Sequence, residues 1–87
     1  MDQCEIRYEV IFTLGSVVSV GPNRKFLWSW VRLRADGFVT VRGKIHATMS
    51  AAIDAAAAYR RDHGGGQISV NIQESHHKDA LDVTYLT

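Results

Sequence analysis

The sequence predicts a single two-layer α+β domain, in which a mostly antiparallel sheet of three to five strands carries one helix on one face. Short segments of alternating apolar and polar residues lie on both sides of one long alanine-rich segment. A period of two is typical of a half-buried strand, and alanine favours a helix. The 87 residues suffice for one small domain, residues 1–87. The predicted order is β-β-β-α-β, with a further strand at the end as an open alternative.

The composition excludes several classes of protein. Hydrophobic residues make up 46% of the chain, which is typical of a globular protein and not of a disordered one. Cys4 is the single cysteine, so no intramolecular disulfide can form. The sequence also has no signal-like segment and no apolar run of membrane-spanning length. We therefore expect a cytoplasmic protein without a membrane partner.

The first strand is predicted where apolar side chains occupy every second position, namely Ile6, Tyr8, Val10, Phe12 and Leu14. Residues 15–25 give a mixed signal. Their valines favour an extended segment, whereas Gly21-Pro22-Asn23 predicts a turn.

Residues 26–45 predict a β-hairpin closed by Ala35-Asp36-Gly37, because a three-residue loop with a left-handed glycine is a common closure. The regular register pairs Arg34 with Phe38, Leu33 with Val39, Arg32 with Thr40, Val31 with Val41 and Trp30 with Arg42. One face then carries Leu27, Ser29, Val31, Leu33, Val39, Val41 and Ile45. The other, here called the basic-aromatic face, carries Trp28, Trp30, Arg32, Arg34, Phe38, Arg42 and Lys44.

The helix is predicted to begin at Met49, with Thr48 as its N-cap, and to end at Gly64. Its apolar stripe is expected to pack on the apolar hairpin face and consists of Met49, Ala52, Ile53, Ala56 and Tyr59. The outer side carries Ala51, Ala55 and Ala58, small residues that would also allow a second helix to approach. Ile68, Val70 and Ile72 predict the next strand. Residues 76–87 are either a last short strand or a partly ordered tail.

The basic-aromatic face is the candidate binding site. Residues 24–44 contain six basic residues against one acid, Asp36. Arginine forms bidentate pairs with phosphate, and flat rings offer stacking surfaces to bases. The pattern therefore indicates a non-enzymatic binding module, with nucleic acid as a candidate partner.

Two other interpretations fit the same residues. Glu5 and Glu9 on the first strand can pair with Arg32 and Arg34, which would make the charges structural. Alternatively, this face or the alanine side of the helix meets another protein or a second copy of the chain, since Trp, Phe and Arg are enriched at interface hot spots. A protein-interaction or homo-oligomerisation module is thus the alternative function.

No catalytic, metal or cofactor site is expected. His76 and His77 point apart if the segment is extended, and His46 and His63 flank the helix at opposite ends. Cys4 with a distant histidine could be a nucleophile and its base, but Cys4 lies at the start of the sequence and no third, orienting group is evident. The three glycines after the helix lie at its negative end, where a phosphate loop does not form.

Overall fold

The computed structural model describes residues 5–13, 27–72 and 77–86. Within these ranges the elements are β1 (Arg7–Thr13), β2 (Leu27–Leu33), β3 (Val39–Arg42), α1 (Met49–His63), β4 (Ile68–Asn71) and β5 (Asp79–Tyr85). The predicted α+β class, with one helix packed on a sheet, is confirmed. The last segment is a strand over Asp79–Tyr85. The expectations for Cys4, Leu14, His76 and the Gly21-Pro22-Asn23 turn lie outside the described residues.

The five strands form one sheet in the order β4-β1-β2-β3-β5. The three central strands are antiparallel, whereas β4 runs parallel to β1 and β5 runs parallel to β3. The sheet is therefore mixed, and the prediction of a mostly antiparallel sheet is wrong. The cause is the helical crossover, because α1 returns the chain to the end of the sheet where β1 begins. There Gly66 donates a backbone hydrogen bond to Ile6, and β4 then runs in the direction of β1.

A β-bulge in β3 changes the hairpin register. Leu33 pairs with Val39 as predicted, but Arg32 pairs with Val41 and Val31 pairs with Arg42. Thr40 is the extra residue, and its hydroxyl donates to the carbonyl of Arg32 at 3.3 Å. The predicted pairs of Thr40, Val41 and Arg42 are therefore wrong. Because side chains alternate along a strand, the bulge places Val41 and Arg42 each on the face opposite to the one predicted.

The helix packs on the tryptophan side of the sheet, not on the side of Val31 and Leu33 as predicted. The face of the sheet that α1 covers is called the helix face. Between it and the helix lies a buried cluster of Tyr8, Val10, Trp30, Val41, Ala52 and Ala56. The reason is volume. The alanines of α1 are small, so the space between helix and sheet accommodates the large rings of Tyr8 and Trp30.

The opposite face of the sheet buries a second cluster, formed by Ile11, Val31, Leu33 and Val39. Val83 of β5 packs against it. β5 reaches this position through an irregular segment between Asp79, which pairs with Val39, and Thr84, which pairs with Val41. Both faces of the sheet are thus apolar at their centre, and the pattern of one strand does not reveal which face the helix covers.

Both ends of α1 are as predicted. The Oγ1 atom of Thr48 accepts a hydrogen bond from the Ala51 amide at 3.1 Å. Gly64 has φ +80° and donates its amide to the Arg60 carbonyl at 2.7 Å. In the described part of the chain, no helix has the length and apolar character needed to cross a membrane.

Candidate interaction surfaces

The two tryptophans of the basic-aromatic face are part of the core. Trp30 is 2% exposed, and its ring lies 5.9 Å from that of Tyr8 and 5.2 Å from that of Tyr59 between ring centres. Trp28 is half-buried and meets Phe12 edge to face at 5.2 Å. The expectation of an exposed aromatic sheet face is therefore wrong, because these rings lie on the face that α1 covers.

Arg34 and Phe38 belong to the hairpin turn. The guanidinium of Arg34 donates two hydrogen bonds to Asp36, at 3.1 and 2.7 Å, and its carbon lies 5.4 Å from the centre of the Phe38 ring. Asp36 also accepts from the Phe38 amide at 3.1 Å. The hydrogen bonds from Arg34, followed by that from the Phe38 amide, lower the pKa of Asp36 below its ordinary value. The positive charge of Arg34 is thus matched locally by the one acid of the region.

Arg42 holds the outer strand β5 in place. On the side of the sheet that carries Val31, it forms an ion pair of 2.7 Å with Asp79 and donates to the carbonyl of His77 at 3.2 Å. The hydroxyl of Tyr85 donates to the same carboxylate at 2.6 Å. The hydrogen bonds from Arg42 and then from Tyr85 hold the pKa of Asp79 below its ordinary value.

Arg32 lies at the C-terminal end of α1. Its Nε donates to the Tyr8 hydroxyl at 3.1 Å, and its Nη2 donates to the carbonyl of His63 at 3.3 Å. The Tyr8 hydroxyl in turn donates to the carbonyl of Gly64 at 2.7 Å. The cation therefore stabilises the negative end of the helix dipole.

The seven predicted contact residues therefore do not form one surface. Arg32, Arg34 and Arg42 each have a partner within the chain, although not Glu5 or Glu9. Glu9 instead pairs with His77, whose Nε2 lies 2.6 Å from the carboxylate. Lys44 is exposed. It lines a mostly apolar cleft of about 440 Å³ beside α1, together with Trp30, His46, Ala55, Ala58, Tyr59, Asp62 and Leu86.

The described histidines, His46, His63 and His77, are not grouped as metal ligands. Across the described residues, no three His, Cys, Asp or Glu side chains are grouped so that they could hold a metal ion. His63 stacks on Tyr59 with ring centres 3.8 Å apart. The Nε2 atom of His46 is buried and forms no hydrogen bond with any of the described residues.

The surface that sequence reasoning missed is the outer edge of β4. Residues 67–72, which include β4 and one neighbour on each side, contain no charged residue and no proline. Val70 is 41% exposed and Ile72 is 72% exposed. No other strand in the described part of the chain pairs with this edge. The uncharged run from Gln67 to Ile72 is the sequence signal, but its meaning depends on β4 being an edge strand.

The other sheet edge, β5, is different. It carries Asp79 and Asp82 and follows Lys78, and its pairing with β3 is interrupted by the irregular segment. Charges and bulges of this kind prevent strand addition at exposed edges. Leu81 is fully exposed there but belongs to an irregular part of the strand. β4 is thus the one edge of the described sheet without such protection.

A scan against protein-family models, a search of curated proteins and a search of solved structures each return no match to this chain.

Proposed function

We propose that this domain is a protein-interaction module that binds a strand of its partner along the open edge of β4. The observation that carries the proposal is the absence of charge along an edge strand that exposes Val70 and is followed directly by the exposed Ile72. Natural sheets protect exposed edges with charges, proline or bulges, and an unprotected edge is a template for another strand. Strand addition is a common way for a small domain to bind a polypeptide.

The backbone of β4 supports this mode of binding. In the parallel ladder, the Tyr8 amide donates to the carbonyl of Gln67 at 2.9 Å, and Tyr8 pairs with Ile68. Alternate residues of a strand direct their backbone groups to opposite sides. The N–H and C=O groups of Ile68 and Val70 therefore point away from β1, towards the open edge, where they can bond to a partner strand.

The charges of the domain favour this function over nucleic-acid binding. Recognition of a phosphate needs arginines that are not already paired within the protein. Much of the affinity comes from the counterions that the nucleic acid releases when these arginines bind its phosphates. Arg34 and Arg42 already have carboxylate partners, and Arg32 contacts the end of α1. Binding of nucleic acid through these three arginines would break these contacts before forming new ones.

The proposal is tested with an acetylated and amidated peptide that has the sequence of residues 67–72. The measurement is amide hydrogen exchange of the domain by NMR as the peptide is added, at a protein concentration low enough for light scattering to give the single-chain mass of 9.7 kDa. We expect slower exchange at Ile68 and Val70, because a docked strand covers their outward N–H groups. Exchange at Leu81, on the protected edge, is expected to stay unchanged.

The matched controls are a peptide with proline in place of its central valine and the domain variant Val70→Lys. Proline removes a ladder donor, and lysine places a charge on the edge, so each is expected to abolish the protection. Unchanged exchange at Ile68 and Val70 with saturating peptide would exclude strand addition at β4.

A parallel titration with fluorescently labelled single- and double-stranded DNA tests the other function. We expect neither DNA to bind with the steep salt dependence that is typical of phosphate contacts. Binding that weakens steeply with salt, and that Lys44→Glu reduces, would favour the nucleic-acid function.

A further inference from the structure

We infer that the partner strand is β4 of a second copy of the chain, paired antiparallel about a two-fold axis at Val70. This inference rests on the proposed function and names the partner. It predicts a symmetric dimer in which two five-stranded sheets join into one continuous sheet.

The sequence of the edge is the first argument. From Ile68 to Ile72 the residues are Ile-Ser-Val-Asn-Ile, so the order of apolar and polar residues is the same in both directions. A two-fold interface brings the same patch of both copies together, and a patch fits this only if it is complementary to itself. Antiparallel pairing about Val70 places Ile68 opposite Ile72 of the second copy, and Ser69 opposite its Asn71.

The backbone gives the same register. The N–H and C=O groups of Ile68 and Val70 point outward. Ile72 lies one residue beyond the end of β4, and its groups take the same direction when the dimer extends the strand by that residue. When Val70 lies opposite Val70 of the second copy, each residue from Ile68 to Ile72 whose backbone groups point outward lies opposite another such residue. If the pairing were shifted by one residue, the outward-pointing backbone groups of one copy would lie opposite backbone groups of the other copy that are already hydrogen-bonded to β1.

The side chains then fall on the correct faces. Val70 pairs with Val10 in the ladder and shares the helix face with it. A two-fold axis perpendicular to the sheet keeps both helices on the same side, so the exposed Val70 side chains meet beside α1 of both copies. Burial of Val70 and Ile72 supplies the hydrophobic contribution to association.

The inference is tested by disulfide cross-linking in a Cys4→Ser background. Residues opposite each other in a hydrogen-bonded antiparallel pair have Cα atoms roughly 5.5 Å apart, within the range of a disulfide. Val70→Cys is therefore expected to cross-link to itself under mild oxidation and to run at twice the 9.7 kDa chain mass. Leu81→Cys, more accessible than Val70 but on the other edge, is the control and is expected to cross-link more slowly despite its greater exposure.

Two further variants test the register. Ile68→Cys and Ile72→Cys lie off the axis, so each is expected to remain uncross-linked alone, because the two copies of the same residue are roughly 13 Å apart along the strands. An equal mixture of the two variants is expected to form the mixed disulfide. Rapid self-cross-linking of Ile72→Cys would overturn the register, and a Val70→Cys rate no higher than that of Leu81→Cys would overturn the dimer.

The two proposals fail in different ways. If the 67–72 peptide protects Ile68 and Val70 while Val70→Cys does not cross-link, the edge accepts strands but the partner is another protein. If the peptide gives no protection either, strand addition at β4 is excluded.

Discussion

The contact between Gly43 and Trp30 determines how the helix face is filled. Gly43 donates its amide to the carbonyl of Trp30 at 2.8 Å, and the indole ring lies across the glycine. A Cβ at position 43 would lie 2.1 Å from Cε2 of the indole. The ring therefore reaches its buried position only because residue 43 has no side chain.

We expect Gly43→Ala to lower the free energy of unfolding by about 1–3 kcal/mol, the usual cost of overpacking a core. The displaced indole also becomes more exposed, so its fluorescence emission is expected to shift to longer wavelength. Urea unfolding and emission spectra provide the measurements. Lys44→Ala, at the adjacent exposed position, is the control and is expected to change neither quantity. An unchanged Gly43→Ala stability would mean that the ring has room to move aside.

Among the elements, α1 is held at its C-terminal end by polar contacts with the sheet. Tyr8 of β1 donates its hydroxyl to Gly64 and accepts from Arg32 of β2, which also contacts His63. One buried phenol thus joins two strands to the end of the helix, where carbonyl groups have no partner within the helix itself.

Removing this hydroxyl tests the arrangement. We expect Tyr8→Phe to lower the free energy of unfolding by about 0.5–1.5 kcal/mol, the net value of a hydrogen bond, because the ring and its packing are retained. Tyr59→Phe is the matched control, since the Tyr59 hydroxyl bonds to none of the described residues. Denaturant unfolding of both variants gives the comparison, and equal losses would contradict a specific role for Tyr8.

The attachment of β5 is expected to depend on pH. The folded-state pKa of Asp79 lies below its ordinary value of 3.8 because Arg42 and Tyr85 bond to the carboxylate. The contact therefore stabilises the fold fully above that value, and the stabilisation is lost as the pH falls through the lower folded-state pKa. We expect acidification below 3.8 to destabilise the wild type more than Asp79→Asn. Parallel pH profiles of the two proteins would disprove this contribution.

For the whole molecule, the β4 interface predicts association that depends on concentration and little on salt. Edge pairing over a few residues buries less area than a standard interface, so the affinity is expected to be modest. Light scattering should give a mass that rises from 9.7 kDa towards twice that value with concentration, in low and in high salt. Val70→Lys is expected to remain at the lower mass, and Leu81→Lys to behave as the wild type. A mass that falls towards 9.7 kDa in high salt would point to an electrostatic interface instead.

The helix and most strands could be predicted from the sequence, but their arrangement in the sheet could not. Local signals gave α1 with its caps at Thr48 and Gly64, the hairpin turn at Gly37 and the Leu33–Val39 pair. The bulge at Thr40 was not predictable from alternation, because valines flank it on both sides and either register buries them. Because Ala52 and Ala56 are small, bulky residues must lie opposite them in the sheet. This need for bulky side chains could have indicated that Trp30 faces the helix. The partners of Arg32 and Arg42 depend on the ends of α1 and on β5, which only the three-dimensional arrangement brings to them.

The parallel pairing of β4 with β1 also affects the order in which the chain folds. Tyr8 pairs with Ile68, far along the sequence, whereas the three antiparallel strands join neighbours in the chain order. Closing the long loop loses entropy before any contact is gained, so we expect the central strands to form first and β4 to dock last. A strand that docks late is also among the first to detach from the native state. If a second copy binds β4, mass action stabilises the docked strand, and the resistance of the β1–β4 ladder to local opening should rise with protein concentration.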